Sequence, residues 1–210
     1  MQPVLETEPS GGFGLWPVAA PAPSGFLALS GTLSWTEVGT AVRSIAGCND
    51  IDPDGDRPPR PADPLGSFLH GLLTFDTLFA AGGLRVADRS TGVVFAPGCC
   101  DGLEDWRSWY GLLGGGSTLG FGHDPVTPLA EHLGGTLLLT VDTARHDSPV
   151  VRLPATALHG LLAGVERDLT DFLALAADWA SRHVPEHRVP VTAALALALD
   201  LPPQAVPPAP

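Results

Sequence analysis

The sequence predicts an α+β fold, in which a mostly antiparallel sheet packs against a long C-terminal amphipathic helix with shorter helices beside it. Three observations carry the prediction. Apolar residues recur at helical spacing from Leu158 to Trp179. Short apolar runs separated by Gly- and Asp-rich turns precede them, and no regular strand–helix–strand alternation connects the two regions. Composition agrees: 44% of the 210 residues are hydrophobic, enough for a substantial core, and 25 glycines with 22 prolines imply many turns.

Taken along the chain, residues 1–24 are rich in Pro, Gly and Ala and read as a loose N-terminal arm that could dock Phe13, Leu15 and Trp16. Residues 25–201 form the expected domain, and 202–210, with five prolines, form a tail that neither helix nor sheet can accommodate. Thr36 to Ala46 is expected to be a helix capped by Thr36, with Val38, Val42 and Ile45 on its apolar face. Residues 50–66 read as a Pro- and Asp-rich loop, and Leu69 to Phe79 fits either helix or strand. The clearest hairpin joins Leu84-Arg85-Val86 to Val93-Val94-Phe95 across a turn at Asp88 to Gly92. Asp101, with Glu104 three residues on, resembles a capping box opening a helix that carries Trp106, Trp109 and Tyr110 and ends at Gly114-Gly115-Gly116.

Leu119 to Phe121, Thr136 to Val141 and Val150 to Leu153 then read as strands. The strongest element runs from Thr156 to Val184. Leu158, Leu162, Val165, Leu169, Phe172 and Trp179 line one stripe, and Pro185 stops the helix. A last helix is expected over Thr192 to Asp200.

Charge narrows the function classes. Eleven basic residues stand against 23 acidic ones, for a formal charge of −12. Every basic residue is arginine, so chemistry that needs a lysine, such as a Schiff base or a P-loop, is excluded. A polyanionic nucleic acid is disfavoured as a partner, whereas a basic protein would be attracted. No run of 18 apolar residues predicts a membrane span. The first basic residue is Arg43, and Glu6 and Glu8 lie where a secretory signal carries positive charge, which points to the cytoplasm. Cys48, Cys99 and Cys100 form an odd set without CxxC spacing, as expected of reduced thiols.

Three local patterns carry candidate chemistry. Asp50, Asp52, Asp54 and Asp56, with Gly55, match the opening of a calcium loop, where alternating carboxylates offer hard oxygens. The match ends at Pro61, where a bidentate glutamate belongs, so a solvated acidic turn competes with calcium as the reading. Cys99 and Cys100 sit between a strand and a helix start, where backbone N–H groups favour thiolate. His123 and Asp124 form an acid–base pair that could join either cysteine as an enzyme centre, metal-dependent or thiol-using. The simpler reading makes the cysteines small packing residues and Asp124 a turn cap. No GxSxG, HExxH or Walker motif is present.

Pro97-Gly98-Cys99-Cys100, Leu103-Glu104-Asp105-Trp106, Gly122-His123-Asp124-Pro125 and Glu166-Arg167-Asp168-Leu169 resemble an uncharacterised actinobacterial protein family. The order of hairpin, helix and strands, followed by Val151-Arg152-Leu153-Pro154 leading into a long helix, is similar to immunity proteins of the SUKH superfamily. Gly31 and Trp35 are the nearest counterparts of that family's early glycine and tryptophan. The resemblance implies a non-enzymatic cytoplasmic α+β module, without cofactor, that binds a protein partner. With the acidic charge, the expected partner is basic, met by Glu104, Asp105, Glu166 and Asp171 on the exposed sides of two helices.

Overall fold

A computed structural model describes residues 1–7, 11–20, 22–52, 57–114, 117–123 and 125–202. Two antiparallel four-stranded sheets and a set of helices share one hydrophobic core. The first sheet contains β1 (Gln2–Glu6), β2 (Phe26–Ala28), β3 (Gly82–Ala87) and β4 (Val94–Phe95), in the order β2-β1-β3-β4. The second contains β5 (Thr118–Gly120), β6 (Leu129–Leu133), β7 (Thr136–Thr140) and β8 (Val150–Pro154), in chain order. Helices α1 (Trp35–Cys48), α2 (Pro64–Thr74), α3 (Ala155–His183) and α4 (Arg188–Ala198) complete the fold, with 3₁₀ segments at Leu103–Leu113 and Pro185–His187.

The expected α+β class is the one observed, with α3 packed on β1, α1 and α4. Leu158, Leu162, Val165, Leu169, Phe172 and Trp179 are each fully buried, so the apolar stripe read from the sequence is the face that meets the core. Its polar side is wet, and the helix stops just before Pro185, which has no N–H to continue the hydrogen-bond ladder. The 84–95 hairpin forms as read, pairing Val86 with Phe95 and Ala87 with Val94. Gly134 and Gly135, both at positive φ, close the two-residue turn between β6 and β7, a conformation that suits the twist of flanking strands.

Several expectations are corrected. Residues 2–6 are not part of a loose arm. They form β1, between β2 and β3, where Val4 and Leu5 are buried. Trp16, by contrast, docks as the sequence suggested: its indole N–H donates to the Gly39 carbonyl at 2.8 Å, and its ring meets those of Phe13, Phe68 and Trp179. Helix α1 is capped by Ser34 instead of Thr36, in a reciprocal capping box with Glu37. The ambiguous stretch at 69–79 divides into the end of α2, which starts at Pro64 behind its cap Asp63, and an irregular segment. The helix read from Asp101 is a 3₁₀ segment starting at Leu103, and no side chain caps it. Glu104 turns away from the expected capping box and accepts from the Ala80 N–H at 2.9 Å. Of the Pro-rich tail, residues 203–210 lie outside the described residues.

Candidate functional site

Two segments distant in sequence meet where the sheets adjoin. One leaves β4 through Ala96-Pro97-Gly98 and reaches Cys99 and Cys100; the other leaves β5 through Phe121-Gly122 and reaches His123. Phe95 lies edge-on to Phe121, with centroids 5.4 Å apart, and Trp109 packs on Phe121 at 4.6 Å. These rings fix the two chain directions relative to each other.

Two glycines then let the backbones touch. The Gly98 N–H donates to the Phe121 carbonyl at 2.7 Å. A Cβ on Gly122, which sits at φ +94°, would come within 2.3 Å of the Cys99 carbonyl oxygen. Only glycine tolerates both that φ and that approach.

The result is a cluster of Cys99, Cys100 and His123. The sulfurs are 3.5 Å apart, His123 Nδ1 lies 4.0 Å from Cys99 Sγ, and all three donor atoms fall within 4.8 Å of one another. Neighbouring side chains on a strand point to opposite faces. Cys100 escapes that alternation because it adopts the left-handed conformation, φ +66°, within a tight turn. Cys100 and His123 are exposed, and Cys99 is half-buried. No disulfide joins the cysteines.

A half-buried carboxyl follows the cluster in the chain. Burial pushes Asp101 up to about 7, and the nearby charges of Glu104 and Asp105 add to the effect, against a hydrogen bond from the Gly102 N–H. Burial also raises Glu104, opposed by the Ala80 N–H. Asp101 and its backbone are held by β3: the Gly82 N–H donates to the Asp101 carbonyl at 3.0 Å, and the carboxyl lies against Gly83.

The other residues singled out from the sequence fare differently. Asp124 lies outside the described residues, as do Asp54 and Asp56. Asp50 pairs with Arg60 Nη1, and the exposed Asp52 lies 3.4 Å from Arg60 Nε, so one guanidinium offsets one of the two carboxylate charges. Among the four residues expected to meet a partner, Glu104 is occupied by Ala80, and Glu166 accepts from Arg107 at 2.8 Å. Arg107 also pairs with Asp200 at 3.0 Å, tying the 3₁₀ segment to α3 and to the end of α4. Asp105 and Asp171 are exposed.

Sequence reasoning missed two features. Gly98 and Gly122 are the close-approach positions that create the cluster, and the glycine just before each reactive dipeptide was the available signal. A cavity of about 180 Å³ between α1, α2 and the first sheet, lined by Glu6, Arg43, Cys48 and Phe68 among others, left no periodic trace. A wider groove beside it shares Cys48 and reaches Arg57, Phe75 and Glu104. Neither is lined by Cys99, Cys100 or His123.

Fold and site together define the class: an α+β protein with a surface dithiol–imidazole cluster. Comparison with known families, with curated proteins and with solved structures found no match to the chain. Among the described residues, no helix is long and apolar enough to cross a membrane.

Proposed function

We propose that the protein binds a thiophilic metal ion, of which zinc is the representative, through Cys99, Cys100 and His123. The observation that supports this reading is the spacing of the three donor atoms. Metal–sulfur bonds of about 2.3 Å in a tetrahedral shell place two sulfurs roughly 3.8 Å apart. The thiols stand at 3.5 Å and the imidazole nitrogen at 4.0 Å from Cys99 Sγ, so small side-chain rotations suffice to enclose an ion. Thiolate and imidazole donors select zinc or copper(I) over calcium and magnesium, which prefer oxygen.

The reading is one of binding rather than turnover. Three protein donors leave a fourth position open, and the exposure of Cys100 and His123 gives the cluster the form of a surface site. An exposed, three-donor site suits capture and hand-over of an ion. A reducing cytoplasm, where thiolates persist, is the compartment in which such a site operates.

Cobalt(II) substitution tests this reading on the full chain. The expected result is one equivalent bound, with a sulfur-to-metal charge-transfer absorption that Cys99→Ser, Cys100→Ser and His123→Ala each weaken and Cys48→Ser leaves intact. Stoichiometric binding unaffected by Cys100→Ser, or no binding at all, overturns it.

A second reading is supported by the exposed acidic residues. Asp105 and Asp171 take part in no ion pair among the described residues, and the chain carries −12. They would meet a basic protein, as an immunity-type module does, with association that slows as salt screens the attraction. Pull-down followed by a salt series on the recovered complex tests it: an on-rate independent of salt, or unchanged in the Asp105→Arg/Asp171→Arg double variant, refutes the acidic face.

A further inference from the structure

We infer that Cys99 and Cys100 form a reversible two-electron redox site, oxidised by peroxide-class compounds to a vicinal disulfide that releases the bound metal. The regulatory consequence rests on the metal reading above; the oxidation does not. Two sulfurs 3.5 Å apart on consecutive residues lie near bonding distance, and side-chain rotation with some local backbone distortion joins them. The exposure of Cys100 opens the pair to a small oxidant.

The chemistry balances without a cofactor. One thiolate attacks a peroxide oxygen, the O–O bond breaks, and the departing hydroxide takes up a proton to become water. The sulfenic acid so formed is attacked by the second thiol; the S–S bond forms and a second water leaves. Both sulfurs together lose two electrons, and hydrogen peroxide is reduced to two waters.

Reversibility follows from backbone geometry. Consecutive Cα atoms are about 3.8 Å apart across a trans peptide, below the roughly 4.4–6.8 Å usual for disulfides. A bridge across that span is strained, and strained, exposed disulfides have the more oxidising potentials that ordinary cellular thiols can reverse. Once it forms, neither sulfur is a thiolate. His123 alone then remains as a donor, and one neutral imidazole does not retain a zinc ion against solvent.

The test uses the full chain, loaded with zinc and then titrated with hydrogen peroxide. Zinc release is followed with a chromogenic chelator, and oxidation by mass spectrometry. Trypsin cleaves after Arg89 and Arg107, giving a peptide that holds Cys99 and Cys100 without Cys48. The expected result is a loss of about 2 Da on that peptide, restored by a thiol reductant, with zinc appearing in parallel. Cys48→Ser should behave as wild type, whereas Cys99→Ser and Cys100→Ser should gain oxygen without the 2 Da loss. Oxygen gain on the wild-type peptide without the 2 Da loss overturns the inference, even where zinc binding holds. A reversible 2 Da loss in a protein that never took up zinc supports the dithiol chemistry, overturns the release step and refutes the metal reading separately.

Discussion

Replacing Trp16 by alanine is expected to destabilise the protein as strongly as removing a central core residue, although it lies in the stretch whose composition suggests a loose arm. Its side chain is 5% exposed and meets Phe13, Phe68 and Trp179 at centroid distances of 4.9, 5.8 and 5.3 Å. Its indole N–H donates to Gly39 in the interior of α1. Truncating a buried tryptophan costs about 3–5 kcal/mol. The lost hydrogen bond puts this case toward the upper end, since such a bond contributes roughly 1 kcal/mol.

In a chain of this size each kilocalorie lowers the melting temperature by about 2–4 °C, so a loss of about 4–5 kcal/mol should make Trp16→Ala melt roughly 8–20 °C early. Gly39→Ala supplies an independent check with an inverted sign. In an ordinary helix interior that change stabilises by up to about 1 kcal/mol. Here the new Cβ would stand 2.3 Å from the Pro17 carbonyl oxygen, so destabilisation is expected. Urea titration followed by circular dichroism reads both variants. A Trp16→Ala midpoint within about 1 kcal/mol of wild type, or a stabilised Gly39→Ala, refutes the claim that residues 13–17 are built into the core.

The remaining predictions concern caps, buried polar groups and charge. Ser34→Ala should cost about 1 kcal/mol through loss of the α1 capping box, whereas Thr36→Ala should cost clearly less, as thermal melts would show. Trp106 donates its indole N–H to the Leu199 carbonyl at 3.0 Å, while the buried Trp179 N–H has no partner; Trp106→Phe should therefore be the costlier change by roughly 1–2 kcal/mol. Asp101 has a folded pKa of about 7, above the ordinary carboxyl value near 3.9, so its protonated form favours the fold. That contribution is complete below about pH 4 and is lost as pH rises from there through 7; discounted for partial exposure it amounts to about 2 kcal/mol, and Asp101→Asn should flatten the decline in stability between about pH 4 and 7. Because Arg60 already pairs with Asp50 and lies beside Asp52, millimolar calcium is expected to leave the melting temperature unchanged, and a clear upward shift would instead support the calcium loop.

Legibility in this chain followed the length of each signal. Helix α3 repeats its apolar stripe over 29 residues and meets a proline, so both its face and its end could be read. Strand β1 has only five residues, with Pro3 among them, inside a stretch dominated by Pro, Gly and Ala. Proline normally marks an edge strand, yet β1 lies between β2 and β3; Pro3 falls just beyond the paired stretch of β2, opposite Leu29, whose N–H its carbonyl accepts. Composition averaged over 24 residues concealed it. Strand β6 was missed for a related reason: its inward residues are Ala130 and His132, neither of which advertises a buried face. The capping box at Asp101 failed because a tertiary partner, the Ala80 N–H, competes successfully for the Glu104 carboxylate.

The candidate site shows the same limit in a different form. The chemical types were visible, since a Cys-Cys pair beside a turn and a histidine after a strand are recognisable wherever they fall. Their convergence was not, because it depends on where β4 and β5 deliver their C-terminal segments and on the absence of side chains at Gly98 and Gly122. That dependence gives the geometry a test apart from metal or oxidant. A Cβ at Gly122 must displace the Cys99 carbonyl, 2.3 Å away, and so must move Cys99 relative to His123. Gly122→Ala should therefore weaken metal binding while retaining all three donors. Gly120→Ala, where a Cβ would meet nothing within 4 Å, should leave binding unchanged. Equal affinity in the two variants would mean that the donors assemble independently of the backbone contact, and the structural basis of the site would fall.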